Sequence, residues 1–193
     1  MTNPKILVLS GSLRTGSHNT RLAALATKEL TLLDAAVTRI SLQDYLLPLY
    51  DPDLDARNGQ PANALKLKQM FAAHHGVFIA SPEYVASVTP LLKNMIDWVS
   101  RVRERGDPLY AAFKGRVFAI ASASTERSGG HLSLMALRQI LELGCGALVI
   151  PEQVAIPQAD TAFDTMDNIA EVGLANQFRA QLAHLVEMAQ LMR

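Results

Sequence analysis

Five short runs of apolar residues punctuate the chain: Ile6 to Leu9, Val37 to Ile40, Val77 to Ala80, Val117 to Ala121 and Ala147 to Ile150. All but the second are nearly continuous in Val, Ile, Leu, Phe and Ala. A strand wetted on one face alternates apolar and polar side chains. Unbroken runs belong to strands covered on both faces, as in a parallel sheet. The segments between the runs have a helical period. From Thr20 to Leu33, the residues Leu22, Leu25, Ala26, Leu30 and Leu33 fall on one stripe. Ala62 to His74 reads as a second, less regular helix. A third begins at Thr89-Pro90, a hydroxyl cap followed by a proline whose fixed φ suits the first turn. It continues through Leu91, Leu92, Met95, Ile96 and Val99. The fourth spans His131 to Leu143 with Gly144 as its expected stop. The last, about Met166 to Met192, aligns Ala175, Phe178, Leu182, Leu185 and Ala189.

Five strands alternating with five helices predict an α/β fold: a doubly wound, five-stranded parallel sheet with helices on both faces and right-handed crossovers. A length of 193 residues suits a single domain over residues 1–193. The longest irregular stretch, Gln43 to Gln60, carries prolines and acids. Long loops in compact domains are often functional or interfacial. Lys and Arg total 18 and so do Asp and Glu, which leaves none of the basic excess of a nucleic-acid binder. Arg101, Arg103 and Arg105 are interrupted by Glu104 and read as a solvated helix end. No run approaches the ~20 apolar residues of a membrane span, and the first is too short for a signal-peptide core, so the expected location is cytoplasmic with no membrane partner. Cys145 is the one cysteine, which excludes an internal disulfide; between Gly144 and Gly146 it reads as a small buried residue.

Open α/β sheets bind ligands at the carboxyl ends of their strands. The first such loop, Ser10 to Asn19, is rich in hydroxyls and small residues and ends where the first helix starts. Free N–H groups at a helix N-terminus favour an anion, and Arg14 adds a planar cation suited to phosphate. Leu13 occupies the second Gly position of a dinucleotide G-x-G-x-x-G. Ser17 and His18 replace the Lys and hydroxyl residue of a nucleotide-triphosphate P-loop. What remains is a terminal monophosphate.

The loop after the third strand and the helix behind it read Ser81-Pro82-Glu83-Tyr84-Val85-Ala86-Ser87, then Leu92-Lys93-Asn94 and Ile96-Asp97-Trp98. This pattern resembles the NADPH-dependent FMN reductase family, which also includes azo-dye, quinone and chromate reductases and carries Pro-Glu-Tyr-Asn, a Ser, then Leu-Lys-Asn-Ala-Ile-Asp-Trp. Gly11-Ser12-Leu13-Arg14, Ser17, Asn19, Leu47-Pro48-Leu49-Tyr50 and Gly129-Gly130 are similar to the family's motifs in the same order. The resemblance covers Lys5 to about Phe178 and implies a flavodoxin-like fold that binds FMN non-covalently. It places the phosphate on Ser12, Arg14, Ser17 and Asn19; Ser10 and His18, in the same loop, are further cofactor-binding candidates. It places the ring edge at Pro82, Glu83, Tyr84 and Val85, through backbone donors, and the far side of the ring at Ser122, Ser124 and Gly129. It further implies NADPH or NADH as co-substrate, a small electron acceptor such as a quinone, azo compound, metal oxyanion or free flavin, and a homodimer or homotetramer. Two departures stand out: Val85 stands where the family often has Asn, and the third loop, Ser122 to Gly130, is less glycine-rich than is usual in the family and carries Glu126-Arg127.

An electron carrier without turnover would share this fold, as would a flavin-binding sensor. The neutral charge, Arg14 and the Pro82–Ser87 match favour the reductase. Asp51, Asp53 and Asp55 imitate the start of a calcium loop, but Ala56 and Ala62 stand where Gly and Glu are required. Adjacent His74 and His75 diverge by about 100° on a helix and make a poor metal pair. His131 reads as a helix-start residue and His184 as a surface or packing residue. No Gly-x-Ser-x-Gly elbow is present.

Overall fold

The computed structural model describes residues 3–192. Five parallel strands, β1 (Lys5–Ser10), β2 (Ala36–Ile40), β3 (Gly76–Ala80), β4 (Val117–Ala123) and β5 (Leu148–Ile156), form one sheet in the order β2-β1-β3-β4-β5. The helices are α1 (His18–Leu32), α2 (Pro52–Asn58), α3 (Ala62–Ala72), α4 (Pro90–Arg101), α5 (His131–Gln139) and α6 (Val172–Leu191). This is the flavodoxin-like arrangement. Its order reverses between β1 and β3, so the loops after β1, β3 and β4 meet at one end of the sheet.

The continuous apolar runs are explained by two cores. On one face Ile6, Val8, Phe78 and Ala119 pack against α1 and α6 residues such as Leu22, Leu30, Phe178 and Leu182. On the other, Leu7, Leu9, Ile79 and Phe118 pack against Phe71, Leu92, Ile96, Leu134 and Leu137. β2 is the edge strand and none of its five residues is buried, which is why its run was the least apolar.

Three helices differ from expectation. α2 sits inside the stretch read as irregular. The Asp51 carboxylate accepts from the Asp53 and Leu54 amides and Pro52 opens the helix, so the acid cluster is partly a helix cap. α5 passes into a π turn at Ile140–Gly144, and the left-handed stop is Gly146 (φ +64°), not Gly144. α6 starts at Val172 rather than near Met166. Asp164 Oδ1 accepts from the Met166 and Asn168 amides, and this Asx turn holds residues 164–168 out of the helix until Glu171 caps it.

β5 is longer than its apolar run. Phe118 pairs with Val149 and Ile120 with Gln153, so Ile150, Pro151 and Glu152 bulge opposite Ala119. A proline cannot donate to the ladder, and a bulge is where it fits. Gln181 of α6, fully buried, donates from Nε2 to the carbonyls of Ile120 and Glu152 (2.9 Å each), which supplies partners where the ladder is interrupted.

Candidate functional site

The loop after β1 is held at its rim while its polar groups stay open. The Gly11 amide donates to Ala80 O (2.9 Å) and the Thr89 hydroxyl donates to Gly11 O (2.7 Å), tying the loop to β3 and to the start of α4. A Cβ on Gly11 would lie 3.2 Å from Leu92 and 3.3 Å from Pro82, so a side chain there would crowd the seam. Ser12 Oγ accepts from the Arg14 amide (3.2 Å), and Ser17 Oγ caps α1 by accepting from the Thr20 amide (3.4 Å). Both hydroxyls act as acceptors within the chain, so each keeps a proton to donate outward. The amides of His18 and Asn19 open α1 and have no acceptor inside the helix. The Arg14 side chain is exposed and makes no hydrogen bond or ion pair among the described residues. Partial burial and then the Arg14 cation hold the His18 ring below its ordinary range.

Asn19 has a different job. Its Nδ2 donates to Ala123 O (2.8 Å) and its Oδ1 accepts from the Ala123 amide (3.0 Å). The side chain expected at a phosphate joins α1 to the end of β4 instead.

The loop after β3 folds into a two-residue turn. The Tyr84 amide donates to Ser87 O (2.9 Å) and the Ser87 amide returns a bond to Tyr84 O (3.0 Å). Val85 (φ +47°) and Ala86 (φ +57°) form its tip. Two positive φ angles are the pattern of a type I′ turn, which favours Asn-Gly; a β-branched residue there is strained. The turn geometry accounts for Asn as the usual residue at position 85, and Val85 holds it while completely exposed. The Tyr84 amide expected to serve a ligand is consumed by the turn, and the free amides are those of Glu83, Val85 and Ala86. The Glu83 carboxylate turns away from the loop and accepts from the Ser133 amide (3.0 Å), capping α5.

The loop after β4 is bound to its surroundings. The Ser124 amide donates to Ile156 O, Ser124 O accepts from the Ala159 amide and Ser124 Oγ accepts from the Glu126 amide. Gly129 and Gly130 are buried at φ +63° and +86°. A Cβ on Gly129 would lie 2.8 Å from the β5 backbone, and one on Gly130 would lie 2.0 Å from Ser122 Oγ. Gly129 is thus required by close backbone approach. Among the described residues, Ser122 Oγ is buried with no partner, as is Ser10 Oγ. Glu126 and Arg127 are exposed.

The α4 motif also acquires a physical reading. Asn94 Oδ1 accepts from the Tyr50 amide (2.8 Å), while Asn94 Nδ2 and Trp98 Nε1 both donate to Pro48 O (2.9 and 2.7 Å). The Tyr50 ring meets the Trp98 ring edge-on at 5.0 Å, and the Arg101 guanidinium lies 4.6 Å from the Tyr50 centroid. Asn94 and Trp98 therefore fasten the Leu47–Tyr50 segment rather than touch the strand ends. A cavity of about 500 Å³ lies outside α4, where Lys93, Asp97, Arg101 and Cys145 are among its lining. Its Lys93 is paired with Asp97 (2.7 Å), and burial pushes the Cys145 thiol up to about 11, which leaves no ready nucleophile.

Among known proteins, the model of the NADPH-dependent FMN reductase family matches residues 4–161. An NAD(P)H-dependent FMN reductase of Pseudomonas aeruginosa is 34% identical, with 94% of this chain and 92% of that protein aligned. A quinone reductase of Escherichia coli is 36% identical over 71% of this chain and 69% of that one. The solved structure of FerB, a flavoenzyme NAD(P)H:acceptor oxidoreductase from Paracoccus denitrificans, superposes with a TM-score of 0.79 at 25% identity, covering 97% of this chain and 98% of that one. With a reversed-order parallel sheet, a loop of open hydroxyls and amides at its switch point and matches spanning most of the sequence, the chain belongs to the NADPH-dependent FMN reductase family, whose members are oxidoreductases using NAD(P)H and FMN.

Proposed function

We propose that the loop after β1 holds the FMN phosphate through the Ser12 and Ser17 hydroxyls, the His18 and Asn19 amides and Arg14, with the ring edge at the Pro82–Val85 turn. The observation that carries this is the set of donors left open in residues 11–19: two hydroxyl protons, two helix-opening amides and an unpaired guanidinium. The donor chemistry fits a dianion. The orphaned hydroxyls of Ser10 and Ser122 fit a ligand that brings polar atoms to the ends of β1 and β4.

When bound, FMN supplies hydride transfer between NAD(P)H and the acceptor. The chain's own part is binding and electrostatics. Residues 12–19 anchor the phosphate end. The open Val85 and Ala86 amides would donate to a ring edge held there and favour negative charge on it, in the manner of an oxyanion hole. No side-chain nucleophile is required. The bound Glu83–Ser133 and Asn19–Ala123 pairs keep the three loops in register. The acceptor is a small molecule such as a quinone, azo compound, metal oxyanion or free flavin.

A homodimer or homotetramer in the cytoplasm completes the reading. Val85, Leu132, Met135 and Leu143 are exposed apolar residues on the turn and along α5 and its π extension, a surface suited to a second copy. Among the described residues no helix is long and apolar enough to cross a membrane. Multi-angle light scattering should return a multiple of 21.0 kDa; a monomer mass contradicts the assembly. Anaerobic addition of NADPH or NADH should bleach the flavin absorbance, and a quinone should restore it. Persistent colour contradicts the catalytic reading.

A further inference from the structure

The residues between β5 and α6 form a fourth loop at the carboxyl end of the sheet. It is a built structure rather than a slack connection. Phe163 and Ile169, both buried in the core that α1 covers, face each other in an antiparallel bridge. The Asp164 amide donates to Asn168 O (2.8 Å) and the Ala170 amide to Ala162 O (2.9 Å), which closes a hairpin over residues 162–170. At its base the Ala159 amide donates to Ser124 O of the third loop (3.0 Å). The family match, residues 4–161, stops short of this hairpin.

Arg21 fastens the hairpin to α1. Its Nε donates to Asp167 Oδ1 (2.5 Å), its Nη2 donates to Asp164 O (2.9 Å), and its guanidinium lies 4.7 Å from the Phe163 ring centroid. Two turns further along α1, Lys28 Nζ donates to Asn168 Oδ1 (2.9 Å). Helical side chains lean toward the N-terminus, so a residue on the second turn covers the first. After burial and Arg14, the charges of Asp160 and Arg21 are the next to act on the His18 ring. Clamp and hairpin thus lie beside the turn that carries the His18 and Asn19 amides. A single surface ion pair contributes little. A planar fork that takes two acceptors on one segment and lies over a buried ring is a directional clamp. The Asn19 side chain ties the first turn to β4, and Arg21 supplies a second tie, to the hairpin.

We propose that Arg21 is a positioning residue for the flavin phosphate: by clamping residues 164–167 to α1, it holds the His18 and Asn19 amides at the angle from which they donate. The inference rests on the phosphate reading of residues 11–19. Arg21 has its Nε and Nη2 committed to the hairpin, so it acts through the helix turn rather than on the phosphate.

The test measures FMN and riboflavin binding to the flavin-free full chain by fluorescence titration well below Tm, for wild type, Arg21→Ala and Asp167→Gly. Glycine readily adopts the φ of +63° that Asp167 holds, so this variant removes the carboxylate without straining the turn. Each substitution should weaken FMN about three- to tenfold, the range of couplings carried through a packed network, and leave riboflavin within about twofold. The sign at Asp167 separates positioning from charge. Removing an anion near a phosphate site should tighten phosphate binding on charge alone, so weaker FMN binding in Asp167→Gly supports the clamp. Unchanged or tighter FMN binding in Asp167→Gly overturns it, as does a wild-type ratio of the two affinities in Arg21→Ala. A loss shared equally by both flavins marks a merely structural role and also overturns it. The phosphate reading is judged separately: if wild type binds the two flavins equally, that reading falls and the clamp with it. If wild type prefers FMN and neither variant narrows the gap, only the clamp falls.

Discussion

The loops after β1 and β4 sit at the same end of the same sheet, both just before a helix, and treat their polar groups in opposite ways. Residues 11–17 use theirs sparingly. Ser12 and Ser17 accept amides and keep their protons, and Arg14 has no partner among the described residues. Residues 124–130 are largely tied into the fold, while Ser122 Oγ has no partner among the described residues. Ser124 uses its amide, carbonyl and hydroxyl, and two glycines are pressed against β5 and Ser122. On the proposed reading, the difference separates a binding loop from one that chiefly buttresses the fold. Serine and glycine content looks alike in the two, so composition cannot distinguish them; hydrogen-bond partners can.

The comparison makes a divided forecast: changes in the third loop should move stability, and changes in the first should move ligand affinity. The largest stability effect belongs to Gly129→Ala. A Cβ there would meet the backbone of Ala155 and Ile156 at 2.8 Å on a backbone at φ +63°. Strain and overpacking together should destabilise by roughly 2–4 kcal/mol, read as a fall in Tm of about 5–15 °C. An unchanged Tm would mean the buttress has slack. Arg14→Ala should leave Tm of the apoprotein nearly unchanged while weakening FMN binding by about tenfold or more, the scale of one or two charge-assisted bonds. Fluorescence titration checks it, and a large drop in Tm with no loss of affinity would reverse the division.

Val85→Asn is expected to be smaller and of opposite sign. Asn tolerates the left-handed backbone that Val85 adopts at φ +47°, so the variant should gain about 0.5–1 kcal/mol in denaturant unfolding. The smallest effect is the pH response of His18. Partial burial and Arg14 lower its folded pKa, so the unfolded chain takes up the proton at the higher pH. Stability from this source is complete above the ordinary value of 6.5 and is lost as pH falls through the folded value. Melts of apoprotein between roughly pH 8 and 5.5 should show wild type losing slightly more Tm than His18→Gln.

How much of this was legible in the chain depends on which force set each feature. Strands buried on both faces announce themselves, and so does a capped helix start: Thr89-Pro90 opens α4 as read, with the Thr89 hydroxyl accepting from the Leu92 amide. Features set by local hydrogen bonds were hidden. α2 lay among prolines and acids because its cap is Asp51, and residues 164–168 kept a helical pattern while an Asx turn held them out of α6. β5 ran past its apolar stretch because a buried glutamine from a distant helix bridges the bulge. At the site, positions were legible and roles less so. The Asn19 side chain was expected to face a ligand, yet it bonds Ala123; Glu83 was expected to serve through its backbone, and its side chain has a separate partner in the Ser133 amide. A polar residue's partner, 50 or 104 positions away, is not written beside it.

The most direct test compares FMN with riboflavin, which lacks only the phosphate, as ligands of the apoprotein. If residues 11–19 are an open phosphate cradle, FMN should bind about 100-fold more tightly or better, since several charge-assisted bonds of about 1.5–3 kcal/mol each depend on that group. Arg14→Ala should narrow the gap. Equal affinities for the two flavins would contradict the cradle and with it the placement of the cofactor.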